Sequence, residues 1–213
     1  MTVRSKRVVV VCAIVLGFWE TVPRAADKPL HEPPITVLNL RLTTSNELSG
    51  VSQRALVNET ESIWRDANVQ LRWLRDNTRT DVGRPLRILV ALRAVTASSA
   101  HSWPVGELLR FQDNSAIALA SITSALRIVQ GDPGRQLLDL SAMHQYQLGV
   151  VLGRAVAHEM GHYLLESNWH SPYGLMRASI DAREFADFRT GAFRLDRESQ
   201  VYLAARALAA RSE

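Results

Sequence analysis

The alternation of apolar and polar residues predicts short strands separated by helices. Strict alternation indicates a strand with one buried face, whereas spacings of three and four residues indicate an amphipathic helix. A helix is predicted over residues 46–68, where apolar residues recur at helical spacing. Strands are predicted at residues 35–42, 69–74, 86–93 and 115–122. This order predicts an α+β fold with a twisted, mixed sheet of about four strands.

A second helix, predicted over residues 141–166, is apolar on almost every face. Its apolar residues are Leu148, Val150, Val151, Leu152, Ala155, Val156, Ala157 and Leu164. Such a helix belongs in the protein interior. Gly149, Gly153 and Gly161 lower its helix propensity, but they permit a neighbouring backbone to approach closely. The C-terminal part is predicted to be mainly helical, with a short helix within 176–188 and a terminal helix over 196–211 that Asp196 caps.

The remaining segments are predicted to be connections. Residues 75–85 are polar and include Gly83 and Pro85, so they indicate a loop. Residues 94–114 are interpreted as a long irregular connection, and the sequence GDPG at 131–134 as a turn.

The first 34 residues are predicted to lie outside the folded domain. Arg4, Lys6 and Arg7 precede an uncharged apolar run at 8–19, as in a signal peptide, and the run is short for a membrane span. Residues 1–26 are therefore interpreted as a signal peptide. The alternative is an uncleaved membrane anchor, because Arg24 occupies a position where the cleavage motif requires a small residue. Residues 27–34 contain three prolines and are interpreted as a linker. Residues 35–213 are then predicted to form one domain. The 213-residue chain is 46% hydrophobic and 22% charged, which is typical of a globular protein.

Charge and cysteine usage exclude several classes of function. The predicted signal peptide holds four basic residues and Glu20, a net +3 of the chain's +4, so the domain itself is nearly neutral. We therefore expect no nucleic-acid partner, and a membrane partner only if the N-terminal segment is retained. The only cysteine, Cys12, falls in the predicted signal peptide, so no disulfide or thiol chemistry is expected. Basic residues are almost all arginine, as is common in bacteria with GC-rich genomes. The predicted signal peptide would then make the protein periplasmic or secreted.

Two imidazoles and a carboxylate interrupt the apolar helix at 141–166. His158 and His162 are four residues apart, so both project from one face of the helix and can bind one metal ion. Glu159 lies about 100° further around the helix axis, within reach of a water on that metal. Neutral imidazole suits Zn²⁺, and a nearby carboxylate can accept the proton of the water. A buried, unpaired glutamate without such a task would be costly.

The segment HEMGHYLLESNWH, followed by GLM, resembles the zincin metallopeptidases, and the metzincin clan in particular. In that clan HExxHxxGxxH is followed by a methionine-containing turn beneath the metal. His158, Glu159 and His162 match this motif, and Met176 lies where the resemblance implies the Met-turn. Leu165 replaces the motif's glycine, and Asn168 occupies the position of the third histidine. His170 follows two residues later.

The resemblance implies a third zinc ligand, for which several residues compete. His170 is the preferred candidate, because Gly174 and Met176 follow it as a Met-turn requires. Glu184 is an alternative, since some zincins use a downstream glutamate, and Asp181 is another. Two further implications stay open. Tyr173 would either stabilise an oxyanion or be a surface residue, and strand 115–122 would be either the substrate-pairing edge strand or an ordinary buried strand.

These observations predict an exported zinc metallopeptidase of zincin-like fold that hydrolyses peptide bonds in peptides or proteins. Zn²⁺ would be held by His158, His162 and His170, with Glu159 as the catalytic base and Met176 below the site. Two other functions remain open, namely a zinc-binding domain without catalytic activity and a metal-dependent hydrolase of a non-peptide substrate.

Overall fold

The computed structural model describes residues 36–74, 85–92, 105–130, 140–187 and 191–209. The predicted signal peptide and linker lie outside the described residues, as do the turn at 131–134 and nearly all of the loop at 75–85. In the described part of the chain, no helix is long and apolar enough to cross a membrane.

The described strands form one mixed sheet of five strands. They are β1 (Thr36–Thr44), β2 (Val69–Leu74), β3 (Leu86–Ala91), β4 (Gly106–Arg110) and β5 (Ala116–Ser121). Their order across the sheet is β2-β1-β3-β5-β4. The first four strands in this order run parallel, whereas β4 runs antiparallel to β5. The predicted α+β class and mixed sheet are confirmed, and the sheet has one strand more than predicted.

The additional strand, β4, lies in the segment that the sequence analysis assigned to an irregular connection. Its first four residues are all partly buried, so no alternation marks them, and it begins with Gly106 and Glu107, which are both depleted in strands. Its neighbour β5 is an inner strand with five of its six residues buried. Strand 115–122 is therefore the ordinary buried strand, and β4 is the antiparallel edge of the sheet.

Within the described ranges, five helices accompany the sheet: α1 (Gly50–Arg65), α2 (Ile122–Gln130), α3 (Ala142–Leu164), α4 (Ala182–Ala186) and α5 (Arg197–Ala209). Ser49 and Ser141 cap α1 and α3 through their side chains, and the carboxylate of Asp196 accepts the N–H of Ser199 at the start of α5. The sequence analysis missed α2, because it follows β5 within one apolar run that contains no glycine or proline.

Helix α3 is buried as its apolar character predicts, with every residue from Leu148 to Ala157 in the interior. It packs against α1 on one side and against β5 and β4 on the other. The close approach to α1 depends on Gly149 and Gly153, since a Cβ atom at Gly153 would lie 2.8 Å from the carbonyl oxygen of Leu56. The rigid, buried α3 thereby holds its C-terminal half against the edge strand β4.

Candidate metal centre

The C-terminal end of α3 carries His158 and His162 on one face and then turns the chain back. Leu165 caps the helix, and Glu166 adopts the left-handed conformation with φ +50°. The backbone N–H of Ser167 then donates to the carbonyl oxygen of His162, 3.3 Å away. Helices often end through a left-handed residue, which is usually glycine. Here a glutamate makes that turn, one position after Leu165, which stands where the metzincin motif has its glycine.

Backbone carbonyl groups fix the orientation of both helical imidazoles. His158 Nδ1 lies 2.8 Å from the carbonyl oxygen of Leu175, and His162 Nδ1 lies 2.8 Å from that of Ser167. A carbonyl oxygen can only accept, so each Nδ1 carries the proton and donates. Each Nε2 atom is then left with its lone pair, and the two Nε2 atoms are 3.1 Å apart. This second hydrogen bond is the usual support of a metal-binding histidine.

His170 joins the two helical histidines across the loop that follows α3. One ring nitrogen from each of the three side chains lies within 4.8 Å of the others. The ring centroid of His170 is 5.4 Å from that of His158 and 4.8 Å from that of His162. The two extra residues before His170 are therefore accommodated by the loop. The three imidazoles are placed to bind one metal ion.

The spacing of the two helical imidazoles suits tetrahedral zinc. With Zn–N bonds of ~2.0–2.1 Å, tetrahedral geometry separates two ligand nitrogens by about 3.3 Å. The observed Nε2–Nε2 distance of 3.1 Å is close to this value. Burial lowers the pKa of His158 to about 4, and burial likewise lowers the pKa of His162. Both rings are therefore neutral near pH 7, which is the form that binds a metal.

Glu159 lies beside this cluster, between α3 and the edge strand β4. A Cβ atom at Gly106 would be 2.7 Å from Glu159 Oε1, so the carboxyl group rests directly against the β4 backbone. Burial is the main cause that raises the pKa of Glu159 to about 8. The nearby charge of Glu107 acts in the same direction, and a hydrogen bond from the Leu108 backbone opposes it. In the metal-free protein this carboxyl group therefore holds its proton near neutral pH. A cation bound by the adjacent imidazoles would lower its pKa and favour the ionised form that accepts a proton.

Met176 lies under α3 at the level of the histidines. Its side chain is 1% exposed, and its sulfur touches the backbone of Gly161, the residue before His162. The turn that carries it is closed by a hydrogen bond of 2.8 Å from the Ser171 N–H to the Met176 carbonyl oxygen. We call residues 171–177 the methionine turn. The assignment of Met176 to a Met-turn, which the metzincin resemblance implies, stays a prediction.

The alternative third ligands are engaged elsewhere. Both carboxylate oxygens of Glu184 accept hydrogen bonds from Arg177, at 2.6 and 3.0 Å. Asp181 caps α4 by accepting the N–H groups of Arg183 and Glu184. Tyr173 is 76% exposed, which agrees with the surface interpretation rather than with a role beside the metal.

Sequence reasoning missed four side chains that shape this region: Glu107, Arg110, Arg154 and Arg177. Arg110 on β4 donates to the carbonyl oxygen of His162 at 2.6 Å. Arg154 is 1% exposed and lies one turn before His158. Its position was a usable signal, because it is the one charged residue in the apolar run from Leu148 to Ala157. The other three lie in segments without a regular pattern.

Comparisons with known proteins yield only distant structural likenesses. No family model matches the chain, and no curated protein matches it. Seven chains from solved structures match, including archaemetzincin (amzA) from Methanopyrus kandleri, with 15% identity and a TM-score of 0.47 over 88% of this chain and 99% of that chain. A likeness at this level is too weak to assign a function. The assignment rests instead on the three imidazoles and on Glu159.

Proposed function

We propose that the protein is a zinc-dependent hydrolase that cleaves peptide bonds. The observation that carries the proposal is the convergence of His158, His162 and His170 beside the buried carboxyl group of Glu159. Three protein ligands leave a position of tetrahedral zinc free for a water, as in catalytic rather than structural zinc sites. In the described part of the chain, three donor atoms gather at this cluster.

His158, His162 and His170 would hold the zinc, which when bound supplies Lewis acidity toward the substrate carbonyl group and the attacking water. The Nδ1 hydrogen bonds to Leu175 and Ser167 keep two imidazoles oriented. Glu159 accepts the proton of the attacking water and passes it to the leaving amine. The β4 backbone contacts the Glu159 carboxyl group and limits the movement of this group.

The position of β4 supports a peptide as the substrate. It is the edge of the sheet, and it lies against the catalytic candidate Glu159. An extended peptide can add to such an edge through main-chain hydrogen bonds, which do not depend on its side chains. A small non-peptide substrate would not need this edge. The peptide-hydrolysing function is therefore favoured over the other hydrolase class.

Glu159→Gln and His162→Ala test the proposal together. Glu159→Gln should bind zinc as the wild type does but lose at least about 100-fold in hydrolysis, since general acid–base catalysis contributes ~10²–10⁴-fold. His162→Ala should lose both zinc and activity. Zinc content is measured by mass spectrometry of the metal and hydrolysis with a quenched-fluorescent peptide library.

The matched controls are Glu198→Gln, on the exposed surface of α5, and His144→Ala, near the start of α3. Both should behave as wild type. Full turnover by Glu159→Gln would refute the mechanism. Zinc binding by the wild type without hydrolysis of any peptide would instead support the non-catalytic zinc domain or a non-peptide substrate.

We also propose that the protein is exported, because residues 1–26 have the pattern of a signal peptide. Expression of the full chain in a Gram-negative bacterium, followed by mass determination of the periplasmic protein, tests this. A mass that lacks about the first 26 residues is expected, and an intact chain in the membrane fraction would indicate an anchor.

A further inference from the structure

We infer that Arg177 is a positioning residue for the zinc site, which it controls through the carbonyl group that orients His158. The inference rests on the proposed zinc-dependent function and adds a side chain that does not itself touch the metal. Three groups of contacts support it, and together they form a closed ring through α3, α4 and the methionine turn.

The first contacts join the methionine turn to α3. The Leu175 carbonyl oxygen accepts the Nδ1–H of His158 at 2.8 Å, so the place of this oxygen sets the orientation of the imidazole. The N–H of the same residue donates to the carbonyl oxygen of Arg194 at 2.8 Å. Gly174, which precedes it, has φ +71°, so the turn depends on a glycine at this point.

The second contacts belong to Arg177. Its Nη atoms donate to both carboxylate oxygens of Glu184, at 2.6 and 3.0 Å, and its Nε donates to the Gly174 carbonyl oxygen at 3.1 Å. Arg177 thereby links the Gly174 carbonyl group, which precedes Leu175, to Glu184 on α4. A planar guanidinium can make this two-pronged bond with fixed geometry, whereas a lysine cannot.

The third group of contacts joins α4 to α3. Arg154 Nη1 donates to the carbonyl oxygens of Phe185 and Asp187, at 2.8 and 2.9 Å, and more weakly to that of Glu184 at 3.3 Å. Its Nε is paired with Glu59 at 2.7 Å, and its guanidinium stacks 4.1 Å from the centre of the Phe193 ring. This side chain is 1% exposed, so α4 is firmly attached to α3.

The ring fixes the distance between the Leu175 carbonyl group and His158. Arg154 lies one helical turn before His158 on α3, so the ring begins and ends on the same face of one helix. Arg177 and Glu184 are the links that are neither on α3 nor fully buried, since their side chains are 21% and 32% exposed. Of the two, only Arg177 bonds the Gly174 carbonyl group next to Leu175. Its removal should loosen the methionine turn without opening the core.

Arg177→Met tests the inference through metal affinity. Loss of a direct hydrogen-bond partner of a metal ligand typically weakens metal binding by ~10–100-fold. Because Arg177 acts through the residue next to that partner, we expect the zinc dissociation constant to rise by about 10-fold, the lower end of this range. Glu184→Gln should act in the same direction by a smaller factor, and Arg177→Lys should restore only part of the affinity. The affinity is measured by competition with a chromophoric zinc chelator, at a temperature where circular dichroism shows every variant to be folded.

A second readout separates positioning from general stability. In the metal-free wild type, long-range ¹H–¹⁵N spectra of the histidine rings should show His158 protonated at Nδ1, and Arg177→Met should show a mixture of tautomers. The control is Arg54→Gln, on the exposed surface of α1 and outside the three groups of contacts. It should leave both readouts unchanged.

The outcomes distinguish this inference from the proposed function. Unchanged zinc affinity in Arg177→Met would overturn the positioning role while zinc-dependent hydrolysis still stood. A wild type that binds no zinc would overturn the proposed function itself. If Arg177→Met does not fold, Glu184→Gln decides, because it keeps the shape of the side chain, and unchanged zinc affinity in that variant would likewise overturn the inference.

Discussion

Glu159 is an ionisable residue whose burial disfavours its charged form. Its side chain is 7% exposed, and its carboxyl group lies against the backbone of Gly106 with Glu107 nearby. The proposed catalytic role, in which a proton must be held and then released, would explain why a carboxyl group occupies this costly position. In the metal-free protein this effect of burial should be visible as a dependence of stability on pH.

The metal-free protein should lose stability relative to Glu159→Gln as the pH rises. Burial raises the pKa of Glu159 from 4.5 to about 8, so between these values the folded state keeps a proton that the unfolded state has released. Stability from this protonated group is complete below pH 4.5 and is lost as the pH rises through about 8. Since one pKa unit corresponds to ~1.4 kcal/mol, the difference at pH 8 should reach a few kcal/mol.

Melting temperatures of both proteins in a chelating buffer, from pH 5 to pH 8, give the measurement. The lowered pKa of His158 makes the folded protein less stable toward acid, but it does so in both proteins and cancels in the difference. Glu198→Gln, on the surface, should show no such trend. A difference that stays constant over the whole range would show that the carboxyl group is not buried as described.

At the scale of elements, α3 is held in place by close packing against α1. The carbonyl oxygens of Ser52 and Leu56 approach Gly149 and Gly153, and Thr60 Oγ1 donates to the carbonyl oxygens of Leu56 and Gly153. The backbones can come this close only because both α3 positions lack a side chain. The position of the histidines relative to β4 therefore depends on contacts two turns earlier in α3.

Gly153→Ala should destabilise the protein without changing the metal ligands. Its Cβ atom would lie 2.8 Å from the Leu56 carbonyl oxygen and 2.9 Å from Glu59 Cβ, so the helices must separate. Overpacking of this kind costs about 1–3 kcal/mol, which urea unfolding measures. Gly50→Ala is the control, because its nearest neighbour would be a flexible arginine 3.4 Å away. Equal stability of Gly153→Ala and wild type would contradict the packing.

The strands and helices that the sequence predicted well are those with a buried, regular face. Val69–Leu74 is a strand with the predicted bounds, and α3 begins and ends within two residues of the prediction. The elements that were missed lack such a face. Strand β4 lies at the edge of the sheet and shows no alternation of buried and exposed residues. Helix α2 continues the apolar run of β5. In neither case does the hydrophobic pattern change where the element begins.

At the scale of the whole molecule, the candidate metal ligands could be predicted from the sequence, but the contacts that hold them in place could not. Two histidines and a glutamate on one helix are visible as spacing, because the helix geometry determines which residues meet. The ring through Arg154, Glu184 and Arg177 joins residues up to 30 positions apart, and no local pattern reports such contacts. Glu184 illustrates this, since its spacing suggested a ligand, whereas in the structure it pairs with Arg177.

The whole arrangement predicts a single zinc ion with three imidazole ligands. X-ray absorption spectroscopy at the zinc edge, on protein purified without added chelator, measures this directly. The expected result is one zinc per chain with three nitrogen neighbours at ~2.0–2.1 Å, and two after His170→Ala. A chain that retains no zinc, or a His170→Ala variant with an unchanged set of three nitrogens, would contradict the account.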